Sequence, residues 1–155
     1  MNEHATGTRR DVLVFASRDG LYAIESSLAA EVVTPEGLTP LPGARPHVRG
    51  VFSHRGEIVP VIELGALFGL LSEPGATADT QDDSRALRAV LVRAERGSYA
   101  LLATRVVGVE SHEVEPQPVA RGGLGSAVRP PVERDGQVVT VIDVEGLFAL
   151  LAEGR

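Results

Sequence analysis

The chain repeats itself, and this constrains its fold more than any other feature. An offset of 80 residues lays IVPVIELGALFGLL (58–71) on VVTVIDVEGLFALL (138–151). Val59, Val61, Ile62, Leu67, Phe68, Leu70 and Leu71 meet identical residues, and Glu63 meets Asp143. An offset of 77 lays LVFASRDGLYAI (13–24) on VLVRAERGSYAL (90–101), where Gly20, Tyr22 and Ala23 find identical partners. Two blocks in the same order, at nearly the same offset, describe a tandem duplication of a strand-rich unit closed by a helical turn. In 155 residues neither copy can build a generous core alone, so the two should stabilise each other across a shared apolar seam.

Within each copy the pattern favours strands. Asp11 to Ala16 and Leu21 to Ile24 flank the turn residues Arg18-Asp19-Gly20 and predict a hairpin. Val48 to Phe52 and Ile58 to Glu63 are joined through Arg55-Gly56. Pro60 lacks an N–H, which predicts a sheet edge or a bulge at that strand. Leu87 to Arg93, Tyr99 to Ala103, Val106 to Val109 and Val138 to Asp143 read as further strands. Leu64, Leu67, Phe68 and Leu71 fall on one helical face, predicting a short helix over 63–71 that Val144 to Ala152 repeats. Ser72 to Ser84 is acidic, small and polar and reads as a linker. Glu115 to Arg134 is rich in Pro and Gly and reads as mostly irregular. Many short strands with turn signals argue for small barrels, which remove exposed edges by closing.

Composition then excludes function classes. No cysteine is present, so disulfides, thiolate zinc sites and thiol nucleophiles are ruled out. All 15 basic residues are Arg, which removes Schiff-base chemistry and the phosphate loop ending in Gly-Lys. A net charge of -6 and only 4% aromatic residues argue against a nucleic-acid partner. No apolar run reaches the ~18 residues of a membrane span, and MNEHATGTRR has no signal-peptide core, so a cytoplasmic location without membrane insertion is expected.

Catalytic signals are sparse. His4, His47, His54 and His112 show no zinc-site spacing, and no metal or cofactor is implied. Ser53-His54 lacks a nucleophile elbow. Gly122-Gly123-Leu124-Gly125 lacks the spacing of a dinucleotide fingerprint and reads as a flexible loop. Glu63 and Asp143 occupy equivalent strand ends; a general acid and base is one reading, and capping of the following helices is the other, favoured by the repeat.

One constellation is specific. The run LVF…DGLYAI…AAEVV…LTPLPGARPHVRGVFSHRGEIVPVIELGALFGL resembles the CheW-like coupling proteins of bacterial chemotaxis. GSYALLATRVVGV and VVTVIDVEGLF extend the resemblance from about Asp11 to Leu151. It implies a mainly β fold of two intertwined five-stranded SH3-like barrels with short helices. On this reading 1–10 is a tail, 11–152 is the CheW-like domain, its halves are 11–71 and 87–151, and 72–86 links them.

The resemblance also implies a function. The chain would be a non-catalytic adaptor bridging the cytoplasmic signalling tip of a chemoreceptor and the regulatory domain of a CheA-type histidine kinase. Other CheW-like proteins are further candidate partners, and clustering in chemoreceptor arrays would follow. Carried over by position, the receptor-side residues are Ala29, Gly50, Arg55, Val106 and Val109. The kinase-side residues are Glu31, Val32, Ile58 and Val90. For the valines and Ile58 plain strand core is the competing role, and for Arg55 a solvated turn.

Three departures from the family pattern stand out. Thr104 replaces an acid, Ala29 replaces a larger aliphatic, and His112 to Val139 is shorter than usual. The shortening predicts a truncated or missing strand in the second barrel. That suggests an alternative, a divergent adaptor that binds receptors but engages the kinase weakly or not at all. Two other classes stay open, a small enzyme with an unrecognised site and a homo-oligomeric structural module.

Overall fold

The computed structural model describes residues 7–18, 20–68 and 87–153. The sheet-forming elements are β1 (Thr8–Ser17), β2 (Gly20–Glu25), β3 (Ala29–Val33), β4 (Val48–His54), β5 (Glu57–Ile62), β6 (Arg88–Ala94), β7 (Gly97–Ala103), β8 (Arg105–Val114), β9 (Val128–Arg134) and β10 (Gln137–Ile142). Helix α1 covers Leu64–Leu67 and α2 covers Val144–Ala152, with 3-10 turns at Ser26–Leu28 and Gly123–Ala127. The helix expected over 63–71 is seen as far as Phe68, and the rest of it, like the linker reading, lies outside the described residues.

The strands form two five-stranded sheets, ordered β8-β1-β2-β10-β9 and β3-β6-β7-β5-β4. We call the first barrel A and the second barrel B. Neither corresponds to one half of the sequence. The hairpin β1–β2 belongs to the first half but completes barrel A, whose other strands come from the second half. The hairpin β6–β7 makes the reciprocal exchange into barrel B. Parallel pairing of β10 with β2 and of β5 with β7 stitches each exchanged hairpin into place.

Alternation along the exchanged hairpins shows why. Successive strand residues face opposite sides of a sheet. Ala89 and Leu91 of β6 point into barrel B with Phe52, Val59 and Leu102. Val90 and Val92 point the other way, into a seam shared with Phe15, Tyr22, Ile24, Tyr99 and Leu101. In β1 and β2, Val12, Val14 and Ala23 fill barrel A while Phe15, Tyr22 and Ile24 enter the seam. The hairpins are therefore buried on both faces, which explains their nearly continuous apolar runs. Leu64 of α1 and Val144 and Leu147 of α2 close the seam.

Several sequence expectations need correction. Pro60 does not mark an edge, because β5 lies between β4 and β7. Its missing N–H is tolerated because the ladder to β7 begins one residue later, at Val61. The stretch 115–134 is not mostly irregular, and barrel A, built mainly by the second half of the chain, has lost no strand. Strand β9 pairs with β10 across a register shift between Val139 and Val141. Pro130 and Pro131 stand at that shift, opposite Thr140, on an outer strand of the sheet. A bulge at the sheet margin is where a proline costs the ladder least. The Gly-rich cluster is likewise built in: Ala127 is fully buried, its carbonyl accepts from Asp143 N–H at 2.8 Å, and Ser126 lies so close to Gly146 of α2 that a side chain there would clash. Strand β1 starts at Thr8, ahead of the expected run, because Thr8 to Arg10 pair with His112 to Val114 of a long β8.

Leu101 is fully buried in the seam, so Leu101→Ala should cost about 2–5 kcal/mol, the range for truncating a core leucine. Because each barrel holds a hairpin from the other half, urea unfolding followed by circular dichroism should remain a single transition. Two separated transitions would show that the barrels are independent units.

Candidate functional site

The repeat places equivalent ion pairs at the two strand-to-helix junctions. Asp143 Oδ1 accepts from the Gly146 N–H at 2.8 Å, capping α2, while its Oδ2 accepts from Arg129 Nε at 3.0 Å. Arg129 also donates to Glu25 at 2.9 Å. The counterpart Glu63 does not cap α1. Its longer side chain carries the carboxylate past the helix end to Arg18 and to Arg49, the latter at 3.3 Å. Arg49 and Arg129 are themselves related by the offset of 80. Both carboxylates are buried and engaged by guanidinium groups, so a structural role replaces the acid–base reading. Thr104 ties the β7–β8 junction to the end of β1, its Oγ1 donating to the Ala16 carbonyl at 3.2 Å and accepting from the Arg18 N–H at 3.2 Å.

The two tyrosines lie in the same frame. Tyr99 Oη donates to the Val144 carbonyl at 3.0 Å, and its ring stacks on Phe148. Tyr22 stacks on Phe15, and its buried hydroxyl has no partner among the described residues. Burial, reinforced by Glu63, pushes the Tyr22 phenol from 10.0 up to about 12. Burial, reinforced by Glu145 and Asp143, raises Tyr99 further.

The carried-over contact residues separate into surface and interior. Val32 of β3 and Ile58 of β5 are 44% and 65% exposed on barrel B. Arg55 and Gly56 form the two-residue turn between β4 and β5, with φ of 53° and 83° as a type I′ turn requires, and the Arg55 side chain is 72% exposed. Ala29 of β3 and Val106 of β8 are related by the offset of 77 and are both half-buried at the margin of the seam. Two of the carried-over residues lie in the interior. Val90 is fully buried in the seam, because the apolar run around it has no solvent face. Gly50 is buried with φ of 149°, and a Cβ there would stand 2.6 Å from the Thr39 carbonyl oxygen. Its task is to let β4 approach Thr39, which exchanges 2.9 Å backbone hydrogen bonds with Val51.

Two surface features escaped the sequence reading. Val138, at the position equivalent to Ile58, is 65% exposed on barrel A, and Val109, equivalent to Val32, is 60% exposed there. Val109, expected on the receptor side, is thus the barrel A counterpart of Val32; Val138 is the residue the sequence reading missed, and the offset of 80 alone would have exposed it. The second feature is His54. Its Nε2 lies 3.0 Å from Glu31 Oε2, and Arg55 reaches the same oxygen at 3.5 Å. These contacts tie β4 to β3, the two outer strands of barrel B. In barrel A, Glu110 of β8 plays the equivalent part, accepting from Arg134 at 2.6 Å and lying 2.9 Å from His112. Those two hydrogen bonds, His112 first, hold the Glu110 carboxyl below the usual carboxylate range.

A groove of about 640 Å³ between the 41–48 loop, α1 and the end of α2 is lined by Leu41, Val48, Ile62, Leu124, Leu150 and Leu151 among others, and by none of the carried-over residues. Among the described residues no group of three or more His, Asp or Glu side chains is placed to hold a metal, and no helix is long and apolar enough to cross a membrane.

This architecture, two barrels with exchanged hairpins, has a counterpart of known structure. The scaffolding protein TtCheW from Thermoanaerobacter tengcongensis superposes with a TM-score of 0.68 over 93% of this chain and 90% of that one, at 22% identity. The model of the CheW-like domain matches residues 11–152. The chain belongs to the CheW-like family. Its members are non-catalytic adaptors and scaffolds. The chemotaxis protein CheW of Treponema pallidum is 28% identical over 142 residues, covering 89% of this chain and 81% of that protein. The CheW of Thermotoga maritima is 23% identical over 141 residues, covering 89% and 87%. The CheW-like fold thus accounts for the described strands from β1 to β10, the two barrels being of SH3-like type.

A raised phenol pKa means that the folded protein holds the neutral form. That contribution to stability is complete below about pH 10 and is lost as pH rises through about 12. With only two tyrosines and no tryptophan, ultraviolet titration reads these groups directly. Phenolate absorbance should emerge late and steeply, together with loss of the β-sheet circular dichroism signal. A gradual titration centred near 10 in a folded protein would show that the phenols are open to solvent.

Proposed function

We propose that this CheW-like protein is a non-catalytic adaptor that couples the cytoplasmic signalling tip of a chemoreceptor to the regulatory domain of a CheA-type histidine kinase. The observation that carries this reading is the exposed aliphatic pair Val32 and Ile58 on barrel B, beside Glu31 and the rigid Arg55 turn. Isolated exposed aliphatics are ordinary; a pair recurring at repeat-related positions on a second barrel is not. A regulatory domain of the same fold would dock barrel end against barrel end. Ile58 and Val32 would supply apolar area there and Glu31 the polar rim, the usual anatomy of a protein interface. Val109 and Val138 give barrel A the same equipment for a second CheW-like barrel. The receptor tip would be taken by Ala29 and Val106 at the seam margin, with Arg55 offering its planar fork to carboxylates and carbonyls. Such an adaptor would work in the cytoplasm, within receptor arrays.

The complete β9 bears on the choice between ordinary and divergent adaptor. The weak-binding alternative rests on the shortened stretch 112–139 and on Thr104 in place of an acid; β9 runs from Val128 to Arg134, and Thr104 is engaged by Ala16 and Arg18 within the fold. We therefore expect the kinase domain to bind.

Two substitutions test the assignment by titration calorimetry with purified partners. Arg55→Ala should fold normally and weaken binding of a receptor signalling tip by about 1–3 kcal/mol, the scale of a charge-assisted contact. Unchanged affinity in a folded variant removes Arg55 from the receptor surface. Ile58→Glu should weaken binding of the kinase regulatory domain by about 2 kcal/mol or more, as placing a charge at an apolar anchor does. It should leave receptor affinity within error.

A further inference from the structure

The repeat makes the two barrels alike, so a place where they differ in chemistry is informative. Position 54 in barrel B corresponds to position 134 in barrel A. Each residue ends an outer strand, and each grips a glutamate on the opposite outer strand: His54 grips Glu31, and Arg134 grips Glu110. The next residue also differs. In barrel A it is Asp135, and in barrel B it is Arg55. From its opposite outer strand barrel A is thus closed by a cation that never loses its charge, with His112 of β8 itself also on Glu110, and barrel B by the one side chain whose ordinary range spans neutral pH.

Geometry at barrel B makes this consequential. His54 and Arg55 share one atom, Glu31 Oε2, at 3.0 and 3.5 Å. The His54 side chain is 17% exposed and that of Arg55 72%. His54 is tilted against Phe52 with ring centroids 6.1 Å apart, and its ladder partner in β5 is Glu57. The charged groups facing the imidazole are therefore Glu31 from β3, Glu57 from β5 and Arg55 from the turn. Two of the three are carboxylates.

We propose that His54 is a positioning residue for Arg55: by holding the shared carboxylate of Glu31, most firmly as the imidazolium, it leaves the Arg55 guanidinium free to take an acidic or carbonyl group of a partner. The proposal rests on the reading of Arg55 as a receptor contact. When His54 is neutral, Glu31 attracts Arg55 more strongly and draws the guanidinium back along the barrel. Receptor affinity should therefore rise as pH falls through the range in which His54 takes up its proton. Only a charge on a partly exposed pair changes, so the rise should be about two- to fivefold.

The experiment combines two measurements on the full chain. In the first, nuclear magnetic resonance follows the imidazole of His54 with pH in the wild type and in Glu31→Gln. Loss of the carboxylate should change the response of the His54 imidazole, and identical responses would overturn the clasp. In the second, affinity for a purified receptor signalling tip is measured between about pH 8 and 6 for the wild type and His54→Gln. Glutamine keeps a donor toward Glu31 and cannot gain a proton. The wild type should show the rise and His54→Gln should not. His47 and His112 remain in both proteins, so an equal slope in the variant assigns the pH dependence to them and overturns the proposal. A tip that binds at no pH, while the His54 response still depends on Glu31, overturns the contact role of Arg55 and leaves the clasp as barrel closure only.

Discussion

Burial of two hairpins on both of their faces is the condition on which the rest of this molecule depends. A barrel of five short strands encloses few side chains: barrel A has Val12, Val14, Ala23, Val114, Val139 and Val141 as its fully buried set. The seam holds the larger residues, including Phe15, Tyr22, Tyr99, Leu101 and Leu147. Strands that present one face to a barrel and the other to the seam turn two small cores into one continuous apolar body. The exchange of hairpins follows, because a hairpin placed at the seam can be completed by the strands of either half. The ion pairs Arg49–Glu63 and Arg129–Asp143 then fix the helices that roof the seam. The carboxylates are buried and the guanidinium groups partly so, and removing either arginine would leave a buried carboxylate short of its partner.

Much of this was legible in the sequence, and the limits have physical causes. The offsets of 77 and 80 announced both exchanged hairpins and both helices, and α2 was read with its observed bounds. They could not announce the exchange, because a period says which segments are alike and not which of them pair. Strand β3 is five residues long with alternating half-buried positions, too little apolar pattern to stand out. Strand β9 hides behind Pro130 and Pro131, whose penalty is relieved by a bulge that only the register with β10 reveals. Exposure follows the faces of the strands: Val32 and Ile58 stand on strands with one wet face and are exposed, while Val90 sits in the run VLV with two dry faces and is buried. A backbone requirement, as at Gly50, leaves the same letter as a binding role and is invisible until the close approach of Thr39 is seen.

The surface that remains is sparse and organised by the same duplication. Exposed aliphatics sit at repeat-related positions on the two barrels, while the residues between them have diverged. Arg55 faces Asp135 across the pseudo-symmetry, and His54 faces Arg134. A duplicated scaffold keeps its core positions under a common packing constraint and leaves its turns free to differ. The two barrels thereby present a similar shape with an inverted charge at one turn position, Arg55 against Asp135.

The exchange of hairpins also has a consequence in time. During synthesis the β1–β2 hairpin emerges first, with apolar residues on both faces and its partner strand β10 not yet made. The chain between Glu25 and Ile142 must follow before barrel A can close. At 5–20 residues per second that interval is on the order of ten seconds, long compared with hairpin formation itself. For that time the hairpin waits, apolar at two faces, for β10. Barrel B has all five of its strands once Ala103 is made, whereas barrel A can close only after Ile142, so the two ends of this adaptor mature in sequence.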